Sequence, residues 1–294
     1  MDTEDFKLEE KFGTDSEDEA VVVPMETSEI SEAEQINYLE GRETNFVFIF
    51  GKSGVGKTAI TASLVNYLST ECEYGNLVGI DNGSGRRLLE TIRNTIRDKR
   101  FPDRTKVGTL TEIDIRFEPL KKTKSNLWLT FLEMSGENLT TIELNDKTPS
   151  QFPTNIDVFF RANNLSMVFI LVTSHQDANK DDAFMVTFLD YIIGKDPRFQ
   201  NSRILLLVSQ WDTFVGEIDT EDFIKTRMPL TYARLRKNTN AVRDFSIGRI
   251  TMADNLPRIQ EYNGEPAEKV FHWIYETLTG KSLVSWWEKF RRYF

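Results

Sequence analysis

The stretch Gly51-Lys52-Ser53-Gly54-Val55-Gly56-Lys57-Thr58 meets the spacing G-x-x-x-x-G-K-[ST] at every fixed position. This spacing suits a chain of phosphates. Gly51, Gly54 and Gly56 let the backbone curl so that its N–H groups, Ser53 and Val55 included, point inward at phosphate oxygens. Lys57 sets a point charge on the β- and γ-phosphates, and the Thr58 hydroxyl takes a place on Mg²⁺. A second candidate is Glu133-Met134-Ser135-Gly136-Glu137. There a carboxylate at Glu133 can hold a magnesium shell through water, and Gly136 lets a backbone N–H approach a γ-phosphate. The other reading of this stretch is an ordinary strand-end turn. A third candidate is Ser209-Gln210-Trp211-Asp212. A carboxylate there can accept from guanine N1–H and the exocyclic amine, a donor pair that adenine lacks, or else it is a turn residue. Its offset from the phosphate loop, two strands and two helices later, favours recognition.

The elements that must position these residues are legible in the apolar pattern. Phe46 to Phe50 is a continuous apolar run and reads as a strand buried on both faces, and the helix that begins near Lys57 aims its positive dipole end at the nucleotide. Leu77 to Ile80 reads as a short extended piece before the turn cluster 81–85, and 87–97 is helical by period. Ile113 to Phe117 alternates strictly and, with Leu127 to Leu132 across a Lys-rich turn, predicts a hairpin. Met167 to Val172 and Ile204 to Val208 read as central parallel strands, with an amphipathic helix over 183–193 between them. A helical pattern over 219–236 is broken by Pro229, 242–247 reads as the last strand and 267–278 as the last helix of the domain. Strands alternating with helices predict a three-layer α/β fold of the P-loop NTPase kind. Its sheet is mostly parallel and doubly wound, with ligands at the carboxyl ends of the strands.

Composition sets the limits. The 294 residues are 39% hydrophobic, enough for one substantial core, over 45–280. Net charge is −10, but residues 1–45 alone hold 15 acidic and 3 basic side chains, leaving the remainder near neutral at +2. That distribution argues against a nucleic-acid surface and predicts a disordered acidic tail over 1–44, with a short helix allowed at Ile30–Leu39. The apolar patch Val21 to Met25 reads as solvated tail or as a docking segment for a partner. One cysteine, Cys72, excludes a disulfide framework and fits a reducing cytoplasm, and two histidines without a cysteine cluster argue against zinc. The N-terminus lacks the apolar core of a signal peptide, and no run of about 18 apolar residues predicts a membrane span. At the C-terminus, residues 281–294 place Trp286, Trp287, Phe290 and Tyr293 at helical spacing among Lys289, Arg291 and Arg292. This is either a closing helix on the domain or a helix for a partner groove or an anionic membrane.

The order G-x-x-x-x-G-K-T, E-x-x-G, S-Q-W-D resembles the loop series of translation-factor-like (TRAFAC) P-loop GTPases, whose usual forms are D-x-x-G and N-K-x-D, over roughly 45–250. Arg86-Arg87-Leu88-Leu89-Glu90, Phe101-Pro102-Asp103-Arg104-Thr105 and Ser135-Gly136-Glu137 further resemble the bacterial double-GTPase group of multigene conflict or anti-phage systems. The resemblance implies a cytoplasmic switch protein that binds GTP/GDP with Mg²⁺ and hydrolyses GTP slowly. It also implies protein partners met through switch loops, the N-terminal tail or the C-terminal helix. Thr105 becomes the switch I threonine on Mg²⁺ and the γ-phosphate, Glu133 the acidic switch II position and Gly136 the γ-phosphate sensor. Asp212 becomes the guanine reader beside Gln210 and Trp211, and Ser246 stands in the last base-contacting loop. Three departures carry consequences. Glu133 is one methylene longer than the usual Asp. Gln210 replaces a lysine that lies along the base and braces the phosphate loop, so guanine affinity could be weak. Glu137 stands where many such enzymes orient water with glutamine, and can position water or act as base. Arg86, Arg87 and Arg104 could supply charge in cis. Two other readings stay open: an ATP-using P-loop enzyme with Glu133 as its Walker B carboxylate, and a non-hydrolysing nucleotide-binding scaffold.

Overall fold

The computed structural model describes residues 31–79, 90–91, 94–100, 110–134, 154–195, 203–236, 241–253 and 256–284. Its first buried strand, β1 (Asn45–Phe50), shows how the core divides. Every side chain from Phe46 to Phe50 is fully buried. Alternation sends Phe46, Phe48 and Phe50 to one face and Val47 and Ile49 to the other, so one strand seeds two cores.

On the phenylalanine face lie α1 (Glu32–Glu40), α3 (Thr154–Arg161), α4 (Ala178–Lys195), α5 (Thr220–Arg227) and α6 (Pro229–Leu235). Phe50 stacks on Phe184 and Phe188 of α4 with ring centroids 5.1 and 3.4 Å apart. On the opposite face lie α2 (Lys57–Thr70) and α7 (Glu265–Thr279). Helices on both faces of one sheet make the expected three layers.

The sheet has seven strands in the order β2-β3-β4-β1-β5-β6-β7, with β2 (Gly75–Gly79), β3 (Leu110–Pro119), β4 (Leu127–Met134), β5 (Ser166–Ser174), β6 (Ile204–Ser209) and β7 (Ala241–Phe245). β2, β3 and β4 pair antiparallel, including the expected Lys-turn hairpin, while β4, β1, β5, β6 and β7 run parallel. The register sets Ile49 against Glu133, Phe50 against Leu171, Ser174 against Ser209 and Ser209 against Phe245. The loops after β1, β4, β5, β6 and β7 therefore open on one edge, where ligands of such sheets bind.

Four differences from the expected pattern have physical causes. The ordered body begins before residue 45, because α1 uses its acids. Ser31 and Glu34 form a capping box, Glu32 pairs with Arg161, and the Glu40 carboxylate accepts from Asn163 N at 2.6 Å. Arg42 then ties the chain to Glu112 and Asp114 of β3 at 2.5 and 2.7 Å. Helix α4 starts at Ala178 rather than 183, since Asp181 and Asp182 are buried with partners. Asp181 accepts from Thr173 Oγ1 at 2.7 Å, and Asp182 accepts from the N–H groups of Leu230 and Thr231 that open α6. The strand over 242–247 is shorter, ending at Phe245, and leaves Ser246 in a loop. It is not the last strand, because β8 (Gly248–Ala253) and β9 (Leu256–Tyr262) form a separate antiparallel pair. Ile259 of β9 enters the α2 core, and Tyr262 hydroxyl meets Ser63 Oγ at 3.1 Å, which is how polar Ser63 comes to be buried. Trp273 packs at the edge of that core and His272 meets Tyr74 edge to face at 5.2 Å.

Candidate functional site

The phosphate loop follows β1 directly. A Cβ on Gly51 would sit 2.4 Å from the Val172 carbonyl oxygen, so the loop's first residue has room only for hydrogen. Gly54 and Gly56 lie in the left-handed region, at φ 83° and 89°. Lys57, 6% exposed, donates from Nζ to the carbonyls of Gly51 and Lys52, both at 2.9 Å, so its ammonium is folded back over the loop. Ser53 and Val55 complete the loop, and the Val55 carbonyl accepts from Ser209 Oγ of β6 at 2.7 Å. Ser209 Oγ also lies 3.1 Å from Thr173 O, so it sits between the loop and the ends of two neighbouring strands.

Thr58 on α2 and Glu133 at the end of β4 meet. The threonine hydroxyl donates to Glu133 Oε1, in a carboxylate that is 2% exposed. The contact joins residues 75 positions apart because β4 lies beside β1 with Glu133 level with Ile49. A hydroxyl and a carboxylate beside a phosphate-type loop form an oxygen donor set of the kind a hard divalent cation takes. Among the described residues no group of three or more His, Cys, Asp or Glu forms a metal cluster. A cation here would therefore complete its shell with phosphate oxygens and water, as Mg²⁺ commonly does.

The far end of the site is assembled by β6 and β7. Gln210, at φ 57°, donates from Nε2 to Gly54 O at 3.2 Å, so this amide braces the phosphate loop. Asp212 is exposed and accepts from Ser246 Oγ at 2.9 Å, and Ser246 Oγ accepts from Gly248 N at 3.0 Å. Trp211 turns away into packing: it stacks on Phe214 at 4.4 Å and meets Phe223 edge-on, anchoring the turn that carries Asp212. The free edge thus holds an amide, a carboxylate and a hydroxyl.

Two contacts of this edge carry no local sequence signature. Lys52 Nζ lies 3.2 Å from Asp181 Oδ1 and 5.2 Å from the centre of the Phe184 ring. It is a charge contact rather than an aligned hydrogen bond, since Asp181 Oδ1 accepts none among the described residues. His175, just past β5, meets Thr213 Oγ1 through Nε2 at 2.8 Å. Burial pushes its imidazole below the ordinary histidine range against the opposing pull of Asp212 and Asp177. Asp177 is itself held low, chiefly by the Ser174 hydroxyl. A lone lysine in a glycine loop and a lone histidine after a strand give no warning of these partners.

Of the site residues expected from the sequence, Gly51 to Thr58, Glu133, Gln210, Asp212 and Ser246 stand along this edge. Thr105, Gly136 and Glu137, together with Arg86, Arg87 and Arg104, lie outside the described residues, as do residues 1–30 and 285–294. Leu283 and Val284, just before the latter, are buried.

Comparison with known proteins gives a match to the family model described as Double-GTPase 1 over residues 48–248. No curated protein matches the chain significantly in sequence. Among solved structures, the chain is similar to Methanosarcina barkeri Roco2 RocCORdC bound to GDP at 13% identity and TM-score 0.40, over 85% of this chain and 55% of that one. The chain therefore spans about half the length of that protein. It is also similar to a dimerization-deficient mutant of Toc33 from Arabidopsis thaliana at 14% identity and TM-score 0.44, over 85% and 93%. The signal recognition particle receptor SRb-GTP/SRX complex from Chaetomium thermophilum aligns at 14% identity and TM-score 0.41, over 79% and 99%. No described helix is long and apolar enough to cross a membrane.

Proposed function

The chain belongs to the Double-GTPase 1 family, and from that premise we propose that it is a cytoplasmic guanine-nucleotide switch that binds GTP and GDP with Mg²⁺ and hydrolyses GTP slowly. The observation that carries this reading is the joining of both ends of the site through Gln210. Its amide holds Gly54 of the phosphate loop, and two residues later the Asp212 carboxylate, paired to Ser246, faces solvent. That spacing suits a nucleotide lying along the edge, with phosphates on 51–58 and base against Asp212. The two-donor edge of guanine complements an acceptor-only carboxylate, whereas adenine leaves it unpaired.

Hydrolysis would be in-line attack of water on the γ-phosphate. The loop N–H groups and the Lys57 ammonium would offset charge as it spreads over the γ-oxygens. Thr58, Glu133 and Thr105 are the residues that would hold Mg²⁺, which would supply positive charge to the phosphate oxygens. Glu137 would orient the attacking water or act as its base. Gly136 and Thr105 would sense the γ-phosphate, so that two loops let go after hydrolysis and change which protein partner is held. Partner contact is assigned to those loops, to the acidic N-terminal tail and to the C-terminal residues 281–294.

Titration of purified protein with labelled GTP and ATP in Mg²⁺, beside Asp212→Ala and Lys57→Ala, tests the reading. GTP should bind at least tenfold tighter than ATP. Asp212→Ala should remove that preference while leaving ATP binding unchanged, and Lys57→Ala should weaken both about 30-fold or more through loss of a buried charge on phosphate. Equal binding of the two nucleotides by the wild type would sink the guanine reading in favour of an ATP-using enzyme. Tight GTP binding without turnover would leave a non-hydrolysing scaffold.

A further inference from the structure

A cavity of about 340 Å³ lies at the other end of α2 from the phosphate loop. Its buried walls are Ile96, Ile259 and the partly buried ring of Tyr262, and Asn66 and Thr70 of α2 line it with Asn94. Two exposed cations, Arg97 and Lys99, stand at its mouth. Asn66 is nine residues past Lys57, so the cavity is about 14 Å along the helix axis from the phosphate loop and separate from it.

The chemistry of the lining is specific in kind. Apolar walls accept the faces of a planar ring. Two side-chain amides and a hydroxyl offer donors and acceptors to its edge. The mouth is positively charged: Arg97 Nε is 3.5 Å from Asp98 Oδ1, and the same carboxylate takes Arg100 Nη2 at 3.3 Å. One carboxylate shared by two guanidiniums leaves segment 97–100 net positive. Arg100 also pairs in an antiparallel bridge with Arg258, adding a further cation nearby. The volume is at the lower end of ligand pockets, about 300–1,000 Å³, enough for one ring system with one anionic group.

We propose that this cavity is a second ligand site that takes a phosphorylated planar ring of nucleoside-monophosphate size, its ring between Ile96, Ile259 and Tyr262 and its phosphate on Arg97 and Lys99. The proposal does not depend on what the phosphate loop binds. The Lys99 carbonyl accepts from Ile259 N at 3.0 Å, which ties Lys99 to the β9 wall of the cavity.

The test is isothermal titration of the full chain with adenosine 5′-monophosphate, uridine 5′-monophosphate, adenosine and inorganic phosphate. It is run on wild type, Lys57→Ala, and Arg97→Gln combined with Lys99→Gly. Lys99 has φ 57°, which glycine adopts without strain, so the double variant removes both charges without endangering the fold. At least one monophosphate should bind tenfold or more tighter than either adenosine or phosphate alone. That binding should survive Lys57→Ala and fall at least tenfold in the double variant. The proposal is overturned if neither monophosphate exceeds phosphate, if binding disappears in Lys57→Ala, or if the double variant binds as the wild type does.

Discussion

The two ends of the proposed nucleotide edge, phosphate and base, are built from different materials. At the phosphate end the backbone does the holding: Gly51 is pressed against Val172 O, Gly54 and Gly56 take left-handed conformations, and even Lys57 is fastened to carbonyls. At the base end half-buried side chains do it, through Gln210 on Gly54 and Ser246 on the exposed Asp212. A backbone cradle tolerates few substitutions because a Cβ at Gly51 would meet the Val172 carbonyl and because Gly54 and Gly56 hold left-handed backbone that side chains resist. Side-chain pairs between loops can be exchanged one at a time, so on the proposed reading affinity for the base would be tunable while the phosphate grip is fixed.

The largest expected effect tests the backbone end. Gly51→Ala should destabilise the fold by about 1–3 kcal/mol or more through overpacking against Val172 O. Gly54→Ala, where nothing lies within 4 Å of the added carbon, should cost only the left-handed backbone term of about 1–2 kcal/mol. Thermal and urea unfolding of the two variants would measure the gap, and equal losses would show that conformation rather than contact governs the loop.

A smaller effect belongs to the base end. Ser246→Ala removes one hydroxyl from Asp212 and should weaken GTP binding about two- to tenfold with no change in melting temperature. A fall in melting temperature as large as that of Gly51→Ala would mean the base end is as structural as the phosphate end. The smallest effect is one of pH. His175 has its folded pKa lowered by burial, so the unfolded chain takes up the proton first. The stability that His175 contributes is present above the unfolded value near 6.5 and is lost as pH falls below it. His175→Gln should flatten the decline in melting temperature between about pH 7 and 5.5, and an unchanged decline would place its origin elsewhere.

How much of this was legible followed from the range over which each feature is encoded. Gly51 to Thr58 carries its conformation in its own residues, and the strand before it announces itself as five apolar positions, so the loop and its placement could be read locally. The alternation of Ile113, Ile115 and Phe117 likewise gave β3 and its hairpin. The sequence allowed a short helix at Ile30–Leu39, but its packing on the domain and the start of α4 were obscured because Glu32, Glu40, Asp181 and Asp182 look like solvated charge until their partners are known. Strands β8 and β9 are short, with only Ile250 and Ile259 apolar at their centres, and nothing in a local window reveals that Ile259 and Tyr262 will cover α2.

By itself, then, the sequence determined the phosphate loop, the two buried faces of β1 and the alternation of strands with helices, because each depends on residue types within one turn or one strand. Only the tertiary structure decided that Thr58 meets Glu133, that Gln210 reaches Gly54 across 156 positions, and that Ser246 meets Asp212 across 34. Those meetings depend on which parallel strands are neighbours and in what register. Packing of the whole sheet sets that choice, since every strand there has the same apolar face to offer and only the assembled core distinguishes among them.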